Sequence, residues 1–151
     1  MKPVLFLFIC LFFTPASASG NNQKIKDINS LDLQQYQGQV VYLDFWASWC
    51  KPCQKSFPWM NQLVEKYADR PFKLITINLD ESPQAMFQFL KKVPANFDIY
   101  QDPQGKLAEK FKLQGMPTSY LIDKKGKVFK RHIGFLTKEI DRYEQELESL
   151  L

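Results

Sequence analysis

The chain has 151 residues and a formal charge of +4, from 20 Lys and Arg against 16 Asp and Glu. That length suits one compact domain and not two. The slight basic excess is scattered, as in Lys124-Lys125-Gly126-Lys127 and Lys130-Arg131. The aromatics lie mostly in apolar runs, so there is no basic stripe with interleaved stacking rings and no expectation of nucleic-acid binding.

The first residues read as a secretory signal. Met1-Lys2-Pro3 is positively charged, residues 4–13 are apolar, and Ala16-Ser17-Ala18 forms an A-x-A cleavage site, so residues 1–18 are assigned as the signal peptide. The apolar run is half the roughly 20 residues of a spanning helix, so no stable membrane insertion is expected after cleavage. Cys10 lies inside that run after Phe8-Ile9 and lacks the small residues of a lipid-anchor site. Residues 19–24 form a loose leader, and 25–151 form the domain. Export to the periplasm or an equivalent space is the expected localisation.

Val40-Val41-Tyr42-Leu43-Asp44-Phe45 reads as a buried strand carrying one acid. A helix follows from near Cys50 to about Ala68, with Pro52 in an early position and Pro58 inside it as a source of a kink. Residues 72–79 form a second buried strand. Ser82-Pro83 opens a helix to about Lys92, with Ser as N-cap and Pro at the first position. Residues 97–100 are a short extended piece and 103–112 a short helix. After Gly115-Met116-Pro117, residues 118–122 and 128–133 form a hairpin. Residues 137–150 close the chain as an amphipathic helix, with Ile140, Tyr143, Leu147 and Leu150 at helical spacing. Strands alternating with helices before a hairpin predict an α/β fold with a mixed sheet.

Once residues 1–18 are removed, Cys50 and Cys53 are the remaining cysteines. Export places them where disulfides form and persist. A bridge across two residues closes too small a loop to be an effective staple, which favours a redox switch. Zinc would need two more ligands, and the mature chain offers no third cysteine and one histidine, His132; no metal or cofactor is expected. The helix start favours a thiolate through its unpaired N–H groups and positive dipole end, with Lys51 and Lys55 adding a weak, screened field. Cys50 is expected to be the exposed attacking sulfur, and Cys53, one turn inward, the shielded resolving one. Asp44, amid apolar neighbours, is expected to be buried and not to sit at a sheet edge. His132 is expected at a strand end or on the surface, with no partner evident in the sequence, and Trp46 in the core.

The segment Phe45-Trp46-Ala47-Ser48-Trp49-Cys50-Lys51-Pro52-Cys53 resembles the active-site stretch of the thioredoxin superfamily, specifically its exported TlpA/ResA/DsbE-like branch. Pro58 matches the kink of that family's first long helix. Gly115-Met116-Pro117-Thr118 is similar to its cis-proline loop, and residues 118–128 to the hairpin after it. The resemblance covers residues 25–150. It implies a central mixed sheet flanked by helices on both faces, with Cys50 as nucleophile and Cys53 as resolving thiol. Asp44 would be a buried proton relay of raised pKa. Glu81, in Asn78–Ser82, matches the Asn-x-x-Glu-Ser setting of a functional acid in ResA-like reductases. A cis Pro117 with Met116 beside it would receive an extended substrate segment, and Trp49 would offer a contact surface.

Similarity to this branch also implies reduction of disulfide-containing protein substrates, with electrons from a membrane thiol partner. Cytochrome-maturation members carry Gly-x-Pro-Glu-Thr at the cis-proline loop. Here Thr118-Ser119 follows Pro117, which favours a general reductase. The alternatives are a disulfide oxidase or isomerase, and a copper-handling protein using the two soft thiolates.

Overall fold

The computed structural model describes residues 25–151, so the proposed signal peptide and leader lie outside the described residues. Six strands form one mixed sheet in the order β1-β4-β3-β2-β5-β6. They are β1 (Ile25–Asp27), β2 (Val40–Trp46), β3 (Phe72–Asn78), β4 (Asp98–Gln101), β5 (Thr118–Ile122) and β6 (Val128–Ile133). β2, β3, β4 and β1 run parallel, whereas β5 is antiparallel to β2 and to β6. Four helices accompany them: α1 (Lys51–Lys66), α2 (Pro83–Lys92), α3 (Lys106–Lys110) and α4 (Ile140–Glu148).

β2 has neighbours on both sides and covering layers on both faces, and all seven of its residues are buried. Alternation along the strand divides them. Val40, Tyr42 and Trp46 join the cluster formed with α1, α2 and α4. Val41, Leu43 and Phe45 join a second cluster, against which Leu107, Ala108 and Phe111 of the α3 region pack. Asp44 therefore lies on the α1 side at the centre of the sheet. The expected two-sided α/β arrangement holds.

Other expectations need adjustment. β1 and the 3-10 turns at Ile28–Ser30 and Leu33–Tyr36 have no strong periodic signal, and β1 is held by parallel pairing with β4. α3 is shorter than the predicted 103–112. Gly105 sits at φ 65° as its N-cap, and Lys112, at φ 50°, turns the chain away after Phe111. Its first N–H groups are satisfied by Asp102, whose carboxylate accepts from Lys106, Leu107 and Ala108 at 2.8–3.1 Å. The last helix opens with a 3-10 turn at Thr137–Glu139 before α4 proper.

Candidate active site

α1 begins directly after Cys50, which is its N-cap in extended conformation. Cys50 Sγ accepts from the Cys53 backbone N–H at 3.3 Å and is joined to Cys53 Sγ by a disulfide, with the Cα atoms 5.3 Å apart. The sulfur of Cys50 thus sits against the unsatisfied donors of a helix N-terminus, where negative charge is favoured. Cys50 is 5 % exposed and Cys53 fully buried. The order of accessibility is as expected, but Cys50 is much less exposed than the sequence suggested, while Trp49, at 68 % exposed, and Lys51 and Pro52 present the surface around it.

The loop before the helix is fixed by an acid that the sequence reading passed over. Asp80, just past the end of β3, is buried, and its carboxylate accepts from Ser48 N–H at 3.0 and 3.2 Å, Ser48 Oγ at 2.9 Å and Asn78 Nδ2 at 2.8 Å. Leu79 N–H donates to Trp46 O at 2.9 Å. The neighbouring Glu81 is exposed and is not among the residues around the disulfide.

Facing the disulfide is the second loop. The Met116–Pro117 bond is cis, as the resemblance implied. Pro117 O accepts from Gly134 N–H at 2.7 Å and Gly115 O from Thr118 Oγ1 at 2.7 Å, so the loop is tied to both strands of the hairpin. Between the loops lies an apolar groove of about 510 Å³, whose walls include Trp49, Cys50, Pro52, Leu79, Leu113 and Met116. The structure thus gathers Trp49, Cys50 and Met116 around one depression, with Cys53 behind Cys50.

Asp44 is 2 % exposed, in the middle of the sheet face that α1 covers, and its Oδ2 is a buried oxygen without a hydrogen-bond partner. Burial alone pushes its carboxyl well above the usual range, since nothing nearby offsets desolvation of the charge. Tyr42, two residues earlier on the same face, is pushed up by burial first and by the Asp44 charge second.

His132 lies next to the end of β6, one of its two expected placements, but it is buried and has a partner. It is 8 % exposed, its Nε2 lies 2.6 Å from Glu146 Oε2 of α4, and its ring packs against Tyr143 at 4.8 Å between centroids. Its Nδ1 is buried with no partner. Burial pulls its pKa down, with Glu146 opposing. Trp46 is fully buried as expected, its indole donating to Thr76 Oγ1 at 3.1 Å.

Residues 14–150 match the sequence profile of the Redoxin family. The chain belongs to that family. It is 37 % identical over 118 residues to the thiol–disulfide oxidoreductase ResA of Bacillus cereus, covering 78 % of this chain and about two thirds (68 %) of that one. A crystal structure from Chlorobium tepidum, assigned as a thiol:disulfide interchange protein DsbE, superposes with a TM-score of 0.77 at 44 % identity, covering 80 % of this chain and 85 % of that one. The exposed lipoprotein thioredoxin Etrx1 of Streptococcus pneumoniae superposes with a TM-score of 0.68 at 33 % identity, covering 78 % and 90 %. With a Cys-x-x-Cys disulfide at the start of α1, this Redoxin-family chain is a thiol–disulfide oxidoreductase of the thioredoxin superfamily. Among its described residues no three His, Cys, Asp or Glu side chains are grouped to hold a metal ion. No helix among them is long and apolar enough to cross a membrane.

Proposed function

We propose that this oxidoreductase works outside the cytoplasm as a protein-disulfide reductase, with Cys50 attacking and Cys53 resolving. The observation that carries this reading is the Cys50–Cys53 pair at the start of α1, opening onto an apolar groove beside cis Pro117. An extended substrate segment lies along Met116 and Pro117, with its apolar side chains against Trp49 and Leu113. The Cys50 thiolate attacks one substrate sulfur, forming a mixed disulfide and releasing the other substrate sulfur as a thiolate that takes a proton from water. Cys53, losing its proton to the Asp44 carboxylate, then attacks Cys50 Sγ. The second substrate thiolate leaves and the domain is left oxidised. A dithiol donor returns the two electrons, for which a membrane thiol protein is the proposed source.

The direction of electron flow is supported by the Lys51-Pro52 dipeptide, close to the Gly-Pro of reducing thioredoxins, and by a buried carboxyl suited to thiol proton transfer. Export is supported by the charged start, short apolar run and A-x-A site of residues 1–18. Trapping tests the assignment of roles. Cys53→Ser accumulates mixed disulfides with substrate through Cys50, while Cys50→Ser abolishes reduction. Faster alkylation of Cys53 than of Cys50 in the reduced protein would reverse the assignment.

A further inference from the structure

Four of the six strands carry a polar side chain at one level of the α1 face. Thr76 on β3 is opposite Asp44 on β2, Asp44 is opposite Ser119 on β5, and Ser119 is opposite His132 on β6. All four are buried. Directly opposed residues have Cβ atoms about 5 Å apart, so Asp44 and His132 are about 10 Å apart with the Ser119 hydroxyl between them. Among the described residues, three buried side-chain polar atoms lack a hydrogen-bond partner, and two of them, Asp44 Oδ2 and His132 Nδ1, belong to the ends of this span. Buried polar atoms normally find partners, so two unpartnered ones on either side of a hydroxyl call for an explanation. The Tyr42 hydroxyl lies beside Ser119 and adds a second rotatable O–H at the same place. At the far end, Glu146 of α4 holds His132 Nε2 and is itself partly exposed.

We propose that this row is a proton path, with Ser119 and His132 carrying the proton of buried Asp44 to Glu146 and solvent. The proposal rests on the assignment of Asp44 as the partner of Cys53. Asp44 is almost cut off from water, so a proton received from Cys53 needs a route out before the next cycle. A hydroxyl both donates and accepts, so Ser119, once side-chain rotation brings it into contact with Asp44 Oδ2 and His132 Nδ1, takes the Asp44 proton on its oxygen as it passes its own to His132. The imidazole, holding Nε2–H toward the Glu146 carboxylate, accepts at Nδ1 and releases from Nε2 to Glu146, which gives the proton to water. One proton enters and one leaves, and the Ser119 hydroxyl and the His132 ring return to their first orientations by rotation. The groups facing His132 are Glu146, Arg142 and Tyr143 on α4, Lys130 on its own strand, and Tyr42 across Ser119. Burial keeps the ring neutral near neutral pH, the state that can accept. Ser119, His132 and Glu146 are not among the residues that line the substrate groove, so loss of the path would leave Cys50 attack untouched.

Single-turnover kinetics separate the two steps. Formation of the mixed disulfide reports Cys50, and its resolution reports Cys53 and the proton. His132→Gln and Ser119→Ala should form the mixed disulfide at the native rate and resolve it about tenfold more slowly, a smaller loss than the roughly 10²–10⁴-fold contribution of a direct acid or base. The native resolution rate should also show a histidine titration below the ordinary value of about 6.5 that His132→Gln lacks. A merely structural role for His132 would lower the melting temperature without removing that titration. Should His132→Gln fail to fold, Ser119→Ala, a loss of one oxygen, decides by itself. Native resolution rates in both variants, with Asp44→Asn slow, would overturn the path and leave the reductase reading standing. Native rates in Asp44→Asn as well would remove Asp44 from the chemistry and the path with it.

Discussion

Two aspartates are buried in the strand that leads to the active-site turn and in the loop that braces it, and they are built in opposite ways. Asp80, at the end of β3, accepts from Ser48 N–H and Oγ and from Asn78. Asp44, in the middle of β2, has a carboxylate oxygen with no partner at all. An acid surrounded by donors is a brace: its charge is stabilised and the donors are held in place. An acid without donors is destabilised as an anion and resists ionisation, which makes it a carrier of protons. The fold thus uses one acid to set the position of the Cys50 turn, and the other is the ionisable group that we propose serves Cys53.

The comparison is broken most forcefully at the brace. Asp80→Ala removes the acceptor of three separate groups and leaves Ser48 N–H and the Asn78 amide unpaired, at a cost of about 2–4 kcal/mol. That corresponds to a fall of roughly 10 °C in melting temperature, measured by calorimetry or circular dichroism. An unchanged melt would mean that the loop before Cys50 does not need this acid.

Asp44→Asn should act in the opposite sense. The folded carboxyl holds its proton to higher pH than the unfolded one, so between the unfolded value of about 4 and the raised folded value the native state binds more protons. Native stability therefore falls as pH rises through that window, by up to about 1.4 kcal/mol per pH unit. The amide has no such penalty. Asp44→Asn should be close to native stability at about pH 4 and more stable than native at about pH 8, by roughly 1–3 kcal/mol. Its disulfide-reduction rate should fall over the same range. Denaturant melts across a pH series read the first effect and turnover the second; parallel stability curves for the two proteins would show Asp44 ionising freely.

The smallest effect belongs to the third acid of this region. Glu81 is exposed and next to Asp80 in sequence. Glu81→Gln should change stability by less than about 0.5 kcal/mol and leave the reduction rate intact. A large rate loss would restore the functional role that its Asn78–Ser82 setting implied.

What was legible in the sequence was whatever depends on neighbours along the chain. The β-branched and aromatic run of β2, the Cys-x-x-Cys at a helix start, Ser82-Pro83 and the hairpin around Gly126 all declare themselves within a few residues. Cis Pro117 required the family resemblance. Hidden from sequence were features made by pairing at long range. β1 exists because residues near 100 receive it. Asp80 is distinguished from Glu81 by its burial and by its contacts with Asn78 and with Ser48, the latter 32 residues away. His132 finds Glu146 only when α4 folds back over β6. Asp44 was found because one acid in an apolar strand is itself a local anomaly. Its missing hydrogen bond, the property that matters, is tertiary.

The reduction potential of the Cys50–Cys53 couple, measured against a glutathione or dithiothreitol buffer, tests the central claim most directly. A protein-disulfide reductase should have a value near thioredoxin's, about −270 mV. A value near about −120 mV, that of a strong oxidant whose reduced form is the stabilised one, would contradict the reductase reading and assign the same fold and cysteine pair to disulfide formation.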